Sequence, residues 1–314
     1  MKYYKISIYI LLIILLSGCN NIGVKEDFKY NVPLPINVKG RYEEEYKLKT
    51  NYTYNLDSIH EVDGRQGIAY ENDTFYVSGN STLSKYNSNW ELLSSSNRVF
   101  EKFKTQVNHI GDIDVYNKEI YAGVEYFMDG RSKNIQIAVY DADNFELKRT
   151  YEIDTKSNQT EVSGIAIDPD TNSIWMCSWA DGESGRYLYR YNLEDGKYID
   201  KYHLQAPPQW IQGIAYLNGY IYITADDGTA DLGEADHIYR VKVDVSKSAF
   251  PVFIERTLDD VTLQGEIEGI TFNPAKKQLL VSYNRGSQIV SGMVKGLYEG
   301  YNKEIREIYI YNMK

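Results

Sequence analysis

Cysteine, histidine and proline are scarce in this chain, and no segment carries a helical period over three turns. Among 314 residues there are two cysteines, four histidines and seven prolines. Two thiols, Cys19 and Cys177, allow at most one disulfide, so the fold cannot rest on a disulfide framework. Four histidines are too few for a histidine-rich metal centre. Basic charge is short as well: 34 Lys and Arg stand against 44 Asp and Glu, a formal net charge of −10. Such a surface repels phosphate backbones, which excludes nucleic acid as an expected partner. Three catalytic signatures are missing: the Gly-Xaa-Ser-Xaa-Gly elbow, the Gly-Lys-Ser/Thr phosphate loop and the His-Glu-Xaa-Xaa-His zinc helix.

What is present begins at the N-terminus. Lys2 and Lys5 precede an apolar run, Ile6 to Leu16, interrupted only by Ser7 and Tyr9, and Leu16-Ser17-Gly18-Cys19 follows. A charged start, a short apolar stretch and small residues before a cleavage point read as a secretory signal, too short to span a membrane comfortably. The ending resembles the lipobox of bacterial lipoproteins. That resemblance implies removal of residues 1–18, a diacylated thioether on Cys19 and an extracytoplasmic, membrane-anchored body; an uncleaved anchor is the alternative. Cys177, within a strand-like segment, would then be the one thiol of the body and reads as a small core residue. Residues 19–40, with Asn20-Asn21, Pro33 and Pro35, read as a tether, and 41–314 as one domain.

The domain is strand-like and rich in tyrosine, of which the chain has 30. It also repeats. Gln66-Gly67-Ile68-Ala69-Tyr70, Gly111-Asp112-Ile113-Asp114-Val115, Ser163-Gly164-Ile165-Ala166-Ile167, Gln212-Gly213-Ile214-Ala215-Tyr216 and Glu268-Gly269-Ile270-Thr271-Phe272 share one pattern. A tight turn and two further strand-like runs follow each. The second position of the pattern recurs at 67, 112, 164, 213 and 269, and units of that spacing, long enough for four strands apiece, are the mark of an all-β propeller. The fifth unit ends at Lys314 without a fourth strand, whereas Tyr42 to Tyr54 is strand-like and belongs to no unit. The expectation is therefore a five-bladed β-propeller closed by an N-terminal strand, since an open ring would leave bare sheet edges; six blades is the alternative.

In such a ring the starts of the first strands and the second-to-third connections share one face. Those connections are long at Tyr126–Asn134, Ala180–Arg186, Asp227–Asp236 and Asn284–Ile305, so this face is the candidate working face. Asp112 and Asp114 stand in slots where other units have glycine and alanine. They either accept backbone N–H bonds near the axis or help hold a cation. Hard oxygen ligands from Asp112, Glu161 and Glu268, with amide oxygens of Gln66 and Gln212, would suit calcium. His109 beside Asp112 is a candidate general base. Trp179 and Trp210 are candidate stacking platforms, and Asp226 and Arg285 complete the ligand-binding set. The run Asp226-Asp227-Gly228 to Asp236 lacks the alternate spacing of an EF-hand and reads as a solvated acidic loop.

The repeat as a whole resembles secreted bacterial propellers of the YVTN, SMP-30 (gluconolactonase-like) and glutamine cyclotransferase type. Gln-Gly-Ile-Ala-Tyr at 66–70 and 212–216 is similar to the Gln-Gly-Leu-Xaa-Tyr strands of the last group, which is five-bladed. The Glu-Gly-Trp-Gly and Leu-Asn-Glu-Leu elements of that group are absent here, so the resemblance implies the fold and not the activity. Three functions follow as expectations: a monomeric module binding a peptide, glycan or small ligand; a calcium-assisted hydrolase or lactonase; and a cyclotransferase using Glu125 or Glu268 for proton transfer.

The anchor makes a direct prediction. Cys19→Ser abolishes incorporation of labelled palmitate and moves the chain from the membrane to the soluble fraction. Unchanged labelling of the variant overturns the lipobox reading.

Overall fold

The computed structural model describes residues 49–128, 131–179, 182–261, 264–290 and 293–314. The signal segment, Cys19 and the tether lie outside them. Short alternating runs cut by Asn, Asp and Gly turns fold as antiparallel strands. After β1 (Tyr54–Glu61), the strands β2 (Ile68–Glu71), β3 (Thr74–Gly79), β4 (Thr82–Tyr86) and β5 (Leu92–Ser96) form one four-stranded meander. A second comprises β6 (His109–Tyr116), β7 (Glu119–Phe127), β8 (Ser132–Asp141) and β9 (Leu147–Glu152). A third follows with β10 (Ile165–Asp168), β11 (Ser173–Met176), β12 (Tyr187–Asn192) and β13 (Tyr198–Gln205). The fourth has β14 (Ile211–Leu217), β15 (Tyr220–Ala225), β16 (His237–Lys242) and β17 (Ala249–Thr257). Its outer strand pairs in parallel with β13 over three residues, fusing the two meanders into one sheet.

The last sheet draws on both ends of the described chain. β18 (Gly265–Asn273) and β19 (Gln278–Arg285) are followed by a hairpin, β20 (Ser287–Val290) with β21 (Met293–Leu297), and by β22 (Ile305–Met313). The fourth strand of this sheet is β1, antiparallel to β22 from Tyr54↔Met313 to Glu61↔Glu307. The closing strand thus lies C-terminal to the expected Tyr42–Tyr54. Two of the expected loops also carry strand: β7 runs to Phe127 and β8 begins at Ser132, and 284–305 contains the β20–β21 hairpin.

Among the described residues, each hydrophobic cluster fills the space between two successive sheets. Ala69, Tyr76 and Leu83 meet Ile110, Ile120 and Tyr140; Tyr121 and Val139 meet Ile165 and Tyr191. Trp175 and Tyr202 meet Ile214 and Phe250, and Tyr222 and Ile238 meet Phe272 and Tyr311. The ring shuts where Leu280, Ile308 and Ile310 pack on Ile68, Phe75 and Tyr86 of the first meander. Four-stranded sheets face to face, first strands innermost, make a β-propeller. The segment before β1 reinforces it. Buried Glu255 of β17 accepts the Asn51 and Tyr52 amides (3.0 and 3.1 Å), the Tyr54 hydroxyl (2.7 Å) and Arg240 Nη1 (2.7 Å).

The first strands converge on one side chain. Asp112, 2 % exposed, accepts backbone N–H bonds from Ile113 (2.8 Å), Ile68 (3.3 Å) and Ile214 (3.2 Å), which belong to three different meanders. A Cβ on Gly67, Gly213 or Gly269 would lie 2.6, 2.7 or 2.4 Å from its carboxylate oxygens. The glycines are there because an aspartate fills the axis. Asp114 ties two sheets in the same way, accepting the amides of Val115 and Ile167, both at 2.7 Å. Of the two readings open in the sequence, backbone N–H acceptance is the one in place.

The hub is testable by urea denaturation. Asp112→Ala strands three buried amides, each worth about 1–3 kcal/mol, and Gly269→Ala overpacks the axis by roughly 1–3 kcal/mol. Both midpoints fall; an unchanged midpoint for Asp112→Ala would show that the axis does not depend on it.

Candidate functional site

The inner strands carry a shared irregularity. Pairing with the second strand slips between Ile110 and Ile113 in β6, between Ile211 and Gly213 in β14, and between Ile267 and Ile270 in β18. A bulge re-aims the side chains around it, and Asp112, Gln212 and Glu268 sit at these slips. Above Asp112 the strand starts surround a cavity of about 70 Å³. Its walls include Arg65, Gln66, His109, Glu161, Gln212 and Glu268, with Phe127 and Trp179 from second-strand ends and Met293 from the β20–β21 hairpin. First-strand starts and second-to-third connections therefore do share one face.

Carboxyls outnumber cations at this mouth. Arg65 Nη2 lies 3.1 Å from Glu266 and 3.9 Å from Glu268, and its Nε is 3.3 Å from Glu304. Gln212 donates to Glu266 (2.9 Å), while Gln66 (3.5 Å) and Asn284 (3.0 Å) donate to Glu268. Glu161 accepts the Trp179 amide at 2.5 Å. Just behind, Asp236 accepts the Gly228 amide (3.0 Å), and Asp227 accepts from His237 and the Tyr239 hydroxyl. The acidic run is solvated through its middle, where residues 231–234 are exposed, while Asp236 at its end is buried, only 5 % exposed. Asn284 Oδ1 and the Tyr283 hydroxyl are buried here without a hydrogen-bond partner.

Burial raises Glu268 and Asp226 well above the ordinary carboxylate range, with repulsion from Glu266 adding to it. It raises Glu266 too, against the opposing pull of Arg65. Asp236 is lifted to about 7 by burial, although the Gly228 amide favours its charged form.

A second arrangement lies beside this cluster. Glu125, fully buried, accepts the Val162 amide at 2.9 Å through one oxygen and lies 3.3 Å from His109 Nδ1 through the other. The carboxylate oriented toward His109 is Glu125, not Asp112. The two atoms are close but make no hydrogen bond, His109 Nδ1 and Glu125 Oε1 both being buried without a partner.

The structure thus gathers Gln66, His109, Glu161, Trp179, Gln212 and Glu268, with Glu125 and Asp226 directly behind them. Trp210 packs on Trp179 just outside, ring centroids 4.7 Å apart. Asp112 lies at the axis with its oxygens on amides. Arg285 stands apart, paired through two 2.8 Å bonds with Glu307. Among the described residues there is no group of three His, Cys, Asp or Glu side chains that could hold a metal ion. Sequence reasoning placed Arg65 and Asn284 on the working face without a role and missed Asp236 and Tyr283.

No family model matches the chain and no curated protein matches it. Among solved structures it is similar to a gluconolactonase from Xanthomonas campestris, at 12 % identity, 77 % of this chain, 68 % of that one and TM-score 0.44. It is also similar to hydrazine synthase from Kuenenia stuttgartiensis (9 %, 80 %, 64 %, TM-score 0.42) and to the Pan2 WD40 domain from Neurospora crassa (8 %, 78 %, 61 %, TM-score 0.37). None of these likenesses bears on what this chain binds.

The raised carboxyls predict a pH dependence. In the unfolded chain they ionise near 4, so between about pH 4 and 7 the folded chain holds more protons and stability falls as pH rises. By scanning calorimetry Tm is lower at pH 8 than at pH 5, and Asp236→Asn narrows the gap. A Tm rising over that window overturns the assignment.

Proposed function

We propose that this chain is a lipid-anchored, extracytoplasmic propeller of five blades that binds the cationic end of a small ligand, peptide or glycan at its axial mouth. The observation that carries this reading is the surplus of buried carboxyls there: Glu266, Glu268 and Glu304 share Arg65, with Asp226 and Asp236 close by. Two carboxylates about 4 Å apart repel by roughly 4 kcal/mol at an effective dielectric near 20. That exceeds the net worth of a buried hydrogen bond, about 1 kcal/mol, so the free cluster keeps protons and an arriving cation displaces them. A water occupies about 30 Å³ of liquid. The cavity, about 70 Å³, has room for a cationic headgroup. Asn284 Oδ1 and Glu268 supply acceptors for its N–H groups.

The probe is 1,4-diaminobutane in calorimetric titration, with 1,4-butanediol and calcium chloride in parallel. The diamine binds and the diol does not; Glu268→Gln weakens binding at least tenfold. Binding strengthens from pH 5.5 to pH 8, because the acceptors must ionise. Equal response to the diol, or a response to calcium alone, overturns the reading.

A second reading, a hydrolase of the lactonase kind, is favoured by one observation: His109 lies in the wall of the mouth with the buried Glu125 carboxyl 3.3 Å from its Nδ1. Hydrolysis of glucono-1,5-lactone that disappears in His109→Gln supports it. No turnover by the unaltered protein ends it.

A further inference from the structure

The wall of the mouth is of two kinds. Glu161, Glu266 and Glu268 line it with acid, and Phe127, Trp179 and Met293 line it with apolar surface. The apolar residues stand at the end of β7, after β11 and at the start of β21, so they reach the cavity from three different units of the ring. Both aromatic rings are braced by a neighbour. Trp179 packs on Trp210, centroids 4.7 Å apart, and Phe127 on His109, centroids 5.4 Å apart. Rings fixed in advance lose little freedom when a ligand meets them.

This mixture discriminates among cations. A quaternary ammonium suits aromatic surface, but it has no N–H and leaves desolvated carboxylate oxygens without donors. A primary ammonium has donors on a compact, strongly hydrated charge, gives up its proton readily when buried, and has no flat face to lay on a ring. A guanidinium keeps its charge, is more weakly hydrated, carries its N–H donors in one plane and stacks on aromatic faces. It alone answers both kinds of wall.

The protein itself displays the acidic half of this match. The Arg65 guanidinium already lies 3.1 Å from Glu266 and 3.9 Å from Glu268. It does not exhaust the acceptors. Gln66 and Asn284 both donate to Oε1 of Glu268, which leaves Oε2 for a further donor. Asn284 Oδ1, in a residue 1 % exposed, has no hydrogen-bond partner.

We infer that the mouth selects a guanidinium over an ammonium, its N–H edge toward Glu266 and Glu268 and its face on the Trp179 indole. The inference rests on the mouth binding a cation, and it adds the ligand class which that reading leaves open. The shared chemistry is that of an arginine side chain in a peptide and of a free guanidino compound. No bond is made or broken; this is recognition alone.

The experiment titrates agmatine, 1,4-diaminobutane and choline into the protein, read by calorimetry and tryptophan fluorescence. Agmatine differs from the diamine in one headgroup, so the ratio of their affinities isolates the guanidinium. Agmatine binds at least tenfold more tightly than the diamine, choline binds more weakly than either, and Trp179→Leu reduces the ratio to twofold or less. The ratio in the unaltered protein decides the matter even should that variant fail to fold. Acetyl-arginine amide and acetyl-lysine amide separate the sources. A tenfold preference for the arginine form supports a peptide ligand, and agmatine binding with neither amide supports a free guanidino compound. Equal affinities for agmatine and the diamine, tightest binding by choline, or a ratio unchanged in Trp179→Leu overturns the inference while the mouth reading stands. Binding of none of the three cations overturns both.

Discussion

A single carboxyl group with no room around it organises this propeller. Asp112 lies where the innermost strands meet, and its two oxygens take the amides of Ile113, Ile68 and Ile214. These donors come from three sheets, so the side chain does between sheets what a ladder hydrogen bond does within one. Buried N–H groups need partners, and a bulged strand leaves some of its own unpaired. One aspartate answers that need at the crowded centre. Gly67, Gly213 and Gly269 are then obligatory for steric reasons, because any Cβ there would occupy space already held by that aspartate.

The bulges that free those amides also build the mouth. Where pairing slips in β14 and β18, Gln212 and Glu268 turn toward the axis, and Glu266 lies one step further out. Second-strand hydroxyls bridge the gaps. Ser78 accepts the Gly67 amide and donates to the Gly111 carbonyl, and Thr224 links Gly213 to the Glu268 carbonyl in the same manner. Cys177 holds the matching place beside Gly164, which accounts for a buried thiol whose ionisation is pushed far upward by burial. The lower layer of the channel is thus consumed by the backbone, and only the upper layer keeps side chains available to a ligand.

Much of this was legible in the residues. Four copies of a Gly-Ile strand and one Asp-Ile copy, with regular turns, specify strands, their order and a common centre, because a period of two and a small residue at the crowded end allow few other arrangements. The same repeat marks Gln66, Gln212 and Glu268 as neighbours despite their separation in the chain. Other features were not legible. Asp112 and Asp114 look alike in sequence, yet one bonds at the axis and the other between two sheets; only the three-dimensional path of the amides separates them. The partner of His109 was misread because Glu125 arrives from the adjacent strand through pairing register, His109↔Glu125. The β20–β21 hairpin went unread although the turn dipeptide Ser291-Gly292 stands between its two short runs. Arg285 follows Asn284 directly, and strand alternation sends it to the opposite side, onto Glu307.

The clasp between β1 and β22 bears on the order in which the molecule assembles. β1 is made before any repeat, yet its partner is the last strand of all, and Thr53 and Lys314 exchange backbone hydrogen bonds at the seam. Contacts this distant in the chain form slowly, since loop closure opposes them until intervening structure shortens the path. The meanders, each built from neighbouring hairpins, can form in succession as they are synthesised, while β1 waits unpaired with its edge exposed. Shutting the ring is therefore the terminal event of folding, and the interval before it is when this chain is most open to pairing with a second copy of itself.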